Sequence, residues 1–112
     1  MSAITTHVLD TALGRPAARV PITLARLEDG QWKELGAGET DDNGRLQSLL
    51  PNGPLVLGTY LLVFDTAAYF TAQKIEGFYA TVSVEFTVKD AAAHFHVPLL
   101  LSPYGYTTYR GS

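Results

Sequence analysis

Thr81-Val82-Ser83-Val84-Glu85-Phe86-Thr87-Val88-Lys89 is the stretch that decides the architecture. Val82, Val84, Phe86 and Val88 fall on one side of an extended chain, and Thr81, Ser83, Glu85, Thr87 and Lys89 on the other. That period of two belongs to a β-strand with one face on a core and the other in water. Outward from it, Val20, Ile22 and Leu24 alternate in the same way, and Pro21 between them predicts an edge strand or a bulge. Residues 60–64 are apolar on both faces and read as a central strand. Residues 4–10, 31–36, 95–101 and 104–109 complete the set.

Turn chemistry separates these runs. Asp29-Gly30, between Leu27 and Trp32, signals a tight hairpin. Asp41-Asp42-Asn43-Gly44 is a second turn, because Asn and Gly accept positive φ. Pro51-Asn52-Gly53-Pro54 is a loop, and Ser102-Pro103 interrupts the chain after Leu101. One short helix is expected, capped by Asp65 or Thr66, running to Gln73 and ending near Gly77. Short strands, regular turns and a single helix predict an all-β, two-sheet sandwich forming one domain over residues 1–112.

Composition narrows the function. The chain has 112 residues, enough to bury a core, and no cysteine, so no disulfide frame is possible. The absence of cysteine fits a reducing compartment. Eight Lys and Arg against eleven Asp and Glu give a net charge of -3. With no basic stripe, nucleic-acid binding is not expected. The apolar runs are too short to span a bilayer, and the N terminus has no basic segment followed by an apolar one. A cytoplasmic protein without membrane contact is the expectation.

Candidate chemical groups are few. His7, His94 and His96 are the only histidines, and each is placed on a predicted strand. His94 and His96 stand two apart, on one face. Imidazole titrates near neutrality and can take or give a proton; taken singly, each could equally be structural. Three such nitrogens could instead hold zinc with a position open for water, but no Cys, Asp or Glu joins them at a recognisable spacing. Acid–base work is the preferred reading, with no metal and no cofactor. Arg45 follows the Asn43-Gly44 turn, where its fork of donors suits a carbonyl-rich ligand or an oxyanion; locally it could also be a solvated turn residue. The twelve-residue calcium pattern with its closing Glu is absent around Asp41. At the C-terminal end, Tyr104, Tyr106, Tyr109 and Arg110 stand where chains ordinarily fray.

Thr6-His7-Val8-Leu9-Asp10-Thr11-Ala12-Leu13-Gly14-Arg15-Pro16-Ala17 resembles the N-terminal signature of the 5-hydroxyisourate hydrolases, the transthyretin-related enzymes of urate degradation. His94-Phe95-His96-Val97-Pro98-Leu99-Leu100-Leu101-Ser102-Pro103-Tyr104-Gly105-Tyr106 is similar to the family's C-terminal signature. Tyr109-Arg110-Gly111-Ser112 looks like the tetrapeptide that separates the hydrolases from transthyretin proper. Phe95 replaces a frequent Tyr.

The resemblance implies a transthyretin-like sandwich of about eight strands with one helix, assembled as a homotetramer with active sites at subunit interfaces. It implies a catalytic set of His7, Arg45, His96, Tyr109 and Ser112, of which His7, Arg45 and Tyr109 would also bind substrate. His94, Arg110 and Gly111 would support them, Arg110 by pairing with a carboxylate to hold the tail. Ser112 would offer its hydroxyl and a terminal carboxylate. The implied reaction opens the lactam of 5-hydroxyisourate by water attack, giving 2-oxo-4-hydroxy-4-carboxy-5-ureidoimidazoline. It needs a base, an oxyanion donor and an acid, and no serine or cysteine nucleophile; which histidine is the base stays open. Tyr104 and Tyr106 with residues 99–101 are expected to form the self-complementary surface of the tetramer. A hormone carrier on the same fold, and a sandwich used only for interaction, are the competing readings.

Overall fold

A computed structural model of the chain describes residues 2–112. Two sheets face each other. The first has the order β2 (Arg15–Pro16), β1 (Ile4–Asp10), β8 (Phe95–Ser102), β9 (Gly105–Thr108), with β5 (Arg45–Leu46) also on β1. The second is antiparallel throughout, in the order β4 (Gln31–Glu39), β3 (Pro21–Glu28), β6 (Gly58–Phe64), β7 (Val82–Val88). Alternate residues of both sheets meet between them: Ile4, Val8, Ile22, Leu24, Tyr60, Leu62, Phe64, Leu99 and Leu101 are all essentially inaccessible. This is the expected two-sheet sandwich with one short helix. Among the described residues seven strands have four or more residues, and two pairs of residues, β2 and β5, add short ladders to the open edge of β1.

The β3–β4 hairpin turns on Asp29 and Gly30, both at positive φ (51° and 76°), the geometry that matches strand twist in a two-residue loop. Pro21 departs from expectation. It opens β3, which is flanked by β4 and β6, so the strand is central rather than at an edge. The first position tolerates proline because the missing N–H interrupts little of the ladder. The bulge lies further on, between Leu24 and Ala25. Residues 60–64 do lie in a central strand, with Tyr60, Leu62 and Phe64 inward. β7 alternates as its sequence requires, yet Val84 and Phe86 are only half-buried. They border a cleft of about 260 Å³ between the sheet edges, lined also by Phe95, Val97, Tyr109 and Arg110. Leu99 and Leu101 point into the core and cannot serve as surface as expected, whereas Leu100 between them is half-buried on the outer face. Tyr104 and Tyr106 do remain exposed.

Helix α1 (Thr66–Ala72) is capped by Asp65, whose carboxylate accepts from the Ala68 N–H at 3.0 Å. It ends at Gln73, before Lys74 at positive φ and short of Gly77. The helix is tied to β1 through one buried bond, in which the Tyr69 hydroxyl donates to Asp10 Oδ2 at 2.7 Å. Asp10 Oδ1 accepts from the N–H groups of Ala12 and Leu13, so the whole carboxylate is used. Burial first, and the bond to Asp10 second, push the Tyr69 phenol up to about 12. Tyr69→Phe should therefore strand a buried carboxylate oxygen and cost about 1–3 kcal/mol, measurable by denaturant unfolding. A neutral result would show that the oxygen finds another donor. Among the described residues, no helix is long and apolar enough to cross a membrane.

Candidate active site

β1 and β8 run parallel, with Thr5 opposite His96 and His7 opposite Pro98. Ile4, Thr6, Val8 and Asp10 are buried along the inner face of β1, so Thr5 and His7 belong to the outer face by strict alternation. In β8 the buried Phe95, Val97, Leu99 and Leu101 leave His96 on that same outer face. β5 lies antiparallel on the other side of β1, with Arg45 opposite His7. The turn before it is locked by Asp41, whose Oδ1 accepts from the N–H groups of Asn43 and Arg45 at 2.9 and 3.0 Å. Three distant segments thus bring His7, His96 and Arg45 together. His94 precedes β8 instead of lying in a strand, but its ring still stacks beside that of His96, with centroids 6.5 Å apart and planes at 14°.

Hydrogen bonds constrain the protons. His7 Nε2 lies 2.9 Å from the carbonyl oxygen of Asn43. A carbonyl can only accept, so Nε2 carries the hydrogen, and in the neutral ring Nδ1 is the bare nitrogen. His96 Nδ1 lies 2.8 Å from the hydroxyl of Thr5, which leaves Nε2 as its free nitrogen. Burial holds the His7 imidazole below its ordinary 6.5, Arg45 adds to this, and the Asn43 carbonyl and Asp41 oppose it. Burial also lowers His96, followed by the charges of Arg45, His7 and His94. Both rings are therefore neutral at neutral pH, and the bare Nδ1 of His7 is available as a base. In a proton NMR titration both should show midpoints below 6.5, and Arg45→Gln should raise them. Since the unfolded chain binds these protons more tightly, stability should fall as pH drops through that same window below 6.5. A midpoint above 6.5 for either ring would contradict the assignment of causes.

The C-terminal segment is ordered by a continued register. Leu99 stands opposite Thr108 in β9, and His96 forms an isolated antiparallel bridge with Gly111, which keeps the same alignment. Between them Pro98 has no N–H to offer, so the ladder lapses, and the Thr108 hydroxyl donates to the Pro98 carbonyl at 2.7 Å. The Gly111 N–H donates to the His96 carbonyl at 2.7 Å. A Cβ on Gly111 would stand 2.7 Å from His96 Cδ2, so only glycine lets the tail lie against the imidazole. Among the described residues Arg110 pairs with no carboxylate, contrary to expectation. Its guanidinium sits 4.5 Å above the Phe95 ring and donates to the His94 carbonyl at 3.4 Å. With an aromatic face and a carbonyl at hand, the cation is satisfied without an acid. Tyr109 is 55% exposed and borders the inter-sheet cleft, and Ser112 is exposed. Among the described residues no hydrogen bond joins either to the histidines.

Two further features bear on the reading. Among the described residues no three His, Cys, Asp or Glu side chains converge as a metal-holding group, so the three-nitrogen alternative lacks its geometry. Thr5 is a member of the cluster that reading by residue type passed over. The only available signal was its place on the same strand face as His7, two residues away.

The model of the HIUase/Transthyretin family matches residues 4–111. The 5-hydroxyisourate hydrolase of Mus musculus is 50% identical over 113 residues, covering 99% of this chain and 96% of that protein. The structure of Klebsiella pneumoniae 5-hydroxyisourate hydrolase superposes with a TM-score of 0.87 at 35% identity, covering both chains completely. Sea bream transthyretin in complex with thyroxine superposes with a TM-score of 0.91 at 32% identity, covering 97% of this chain and 94% of that one.

Proposed function

Because the chain belongs to the HIUase/Transthyretin family, we propose that it is an enzyme that hydrolyses 5-hydroxyisourate in urate degradation. The backbone alone does not choose between hydrolase and carrier, since it superposes on both kinds of protein. The observation that carries the choice is the convergence of two neutral imidazoles and a guanidinium on one solvent-facing surface. A carrier has no need of two rings with free nitrogens next to a cation.

His7 is the base. Its Nε2 is committed to Asn43, so Nδ1 takes the proton of the attacking water. Arg45 receives the carbonyl edge of the substrate and the negative charge that develops on oxygen. His96 offers Nε2 to the departing ring nitrogen. Tyr109 and Ser112 serve the substrate from the tail, and Gly111 and Arg110 hold that tail in place. No metal or cofactor enters the reaction.

The test is direct. Generate 5-hydroxyisourate with a urate oxidase and follow its ultraviolet decay with and without the protein. Acceleration well above the spontaneous rate is expected. A decay unchanged by the protein, together with tight binding of an iodinated phenolic hormone, would transfer the chain to the carrier reading.

The same proposal includes a homotetramer with sites at the subunit interfaces, and a cytoplasmic location. An exposed aromatic patch supports the assembly: Phe78 (70% exposed) packs edge-on to Tyr79, and Tyr79 edge-on to Tyr106. Large contiguous apolar surface of this kind suits an interface core. The outer face bearing the histidines is also open, so a second subunit would wall it in. Sedimentation at assay concentration should give four chains per particle. A fully active monomer would sink the shared site.

A further inference from the structure

Thr5 is a polar residue only 1% exposed, yet it lies on the outer face of its sheet, covered by two imidazoles. Its hydroxyl stands 2.8 Å from His96 Nδ1 and 3.2 Å from His94 Nε2. One hydroxyl has one hydrogen and two acceptor lone pairs, so if it donates to one ring it must accept from the other. Its role therefore ties the protonation of the two rings together.

We propose that Thr5 is a positioning residue that sets the tautomer of His96 and links it through His94 to solvent. His94 Nε2–H donates to Thr5 Oγ1, and Thr5 Oγ1–H donates to His96 Nδ1, so His96 presents Nε2–H to the substrate. The inference rests on the role given to His96 above. It also removes a chemical difficulty in that role. A neutral imidazole that simply loses its Nε2 proton becomes an imidazolate, which is prohibitively basic. The bridge avoids this, because three hydrogens move together. His96 Nε2–H goes to the departing nitrogen as the ring C–N bond breaks. The Thr5 hydrogen moves to His96 Nδ1, and the His94 Nε2 hydrogen moves to Thr5. His94 is exposed and takes a proton from solvent at Nδ1. After product leaves, His96 Nε2 regains a proton from solvent, the shift reverses, and His94 Nδ1 releases one. His7 returns to solvent the proton it took from water, so the cycle closes with one water consumed.

The surrounding groups suit the arrangement. Arg45 and His7 face the same cluster and disfavour a second positive charge on His96. Arg110 anchors the His94 backbone by donating to its carbonyl. The stacked rings hold both nitrogens toward the hydroxyl.

The experiment compares the intact protein with Thr5→Val, Thr5→Ser and His94→Gln, reading kcat, KM and the ring ¹⁵N shifts of His96. In the intact protein His96 should be the Nε2–H tautomer. Thr5→Val should mix the tautomers and lower kcat about 10–100-fold, as outer partners of metal-bound imidazoles do, with KM nearly unchanged. Thr5→Ser should restore both readings. His94→Gln can still donate to the hydroxyl but cannot relay a proton, so kcat should fall while the His96 tautomer persists. An Nδ1–H tautomer in the intact protein would overturn the proposal. So would full activity in Thr5→Val, or a loss of kcat in that same variant with its His96 tautomer untouched. The ¹⁵N reading stands even if the protein fails to accelerate 5-hydroxyisourate decay, so the two readings can fail separately.

Discussion

His7→Ala and His96→Ala should each lower kcat/KM for 5-hydroxyisourate by roughly 10²–10⁴-fold, the usual worth of a positioned acid or base. Arg45→Ala should cost about 10²–10³-fold, the scale of a lost oxyanion donor. All three side chains lie on the outer face of their sheet, away from the inter-sheet core, so the variants should fold with little change in thermal midpoint. Arg45→Lys should recover only part of the loss, because an ammonium keeps the charge but not the planar fork. The double variant His7→Ala/His96→Ala should be far less impaired than the product of the single losses, since groups that act on one reaction step fail as a unit. His94→Ala should be milder than His96→Ala. Near-normal rates from all three single variants would remove these residues from the site, whatever the family.

The tail should matter nearly as much. Deleting residues 110–112 removes the Gly111 bond to the His96 carbonyl and the Arg110 cover over Phe95. The stability lost is small, about 0.5–1 kcal/mol for an exposed cation–π contact. The activity lost should be large, roughly 100-fold, because displacing a reacting group by about 1 Å has that effect. Gly111→Val makes the same point without shortening the chain. Its Cβ would collide with the imidazole at 2.7 Å and with Pro98 Cγ at 3.2 Å, so either the ring or the tail must move. Both variants are to be compared with the parent for turnover and thermal midpoint. Unchanged turnover in both would show that the tail is not part of the catalytic surface, and the strongest sequence argument for hydrolase over carrier would go with it.

Much of the architecture was legible because a strand writes its own period. The alternation around Val84 located β7, and the doubly apolar run around Leu62 located a central strand. Pro21 misled because proline speaks about one N–H only; it cannot say whether the rest of β3 has neighbours on both sides. The inward turn of Leu99 and Leu101 was equally hidden, since residues 97–101 are apolar throughout and carry no alternation.

In the candidate site, the spacing of His94 and His96 told their common face. Nothing in spacing could tell that β1 lies parallel to β8, and so nothing could place Thr5 beneath both rings. The two-residue strand holding Arg45 opposite His7 is too short to have a period at all. Arg110 was matched to an imagined acid because charge is visible in a sequence, whereas the Phe95 ring beneath it is visible only in space.

The parallel pairing of β1 with β8 has a consequence for biosynthesis. His7 and His96 are 89 positions apart (96 minus 7), and His7 is made first. At roughly 5–20 residues per second, His7 waits about 4–18 s on the ribosome before its partner even exists. During that interval the side of β1 that will receive β8 is an unpaired edge, the kind of template on which strands from other chains assemble. The short ladders of β2 and β5 complete the opposite side of β1 long before β8 arrives, so half of the exposed edge is closed early by residues close in sequence. Nascent chains stalled before residue 95 should consequently aggregate through β1, and chains stalled after residue 102 should not.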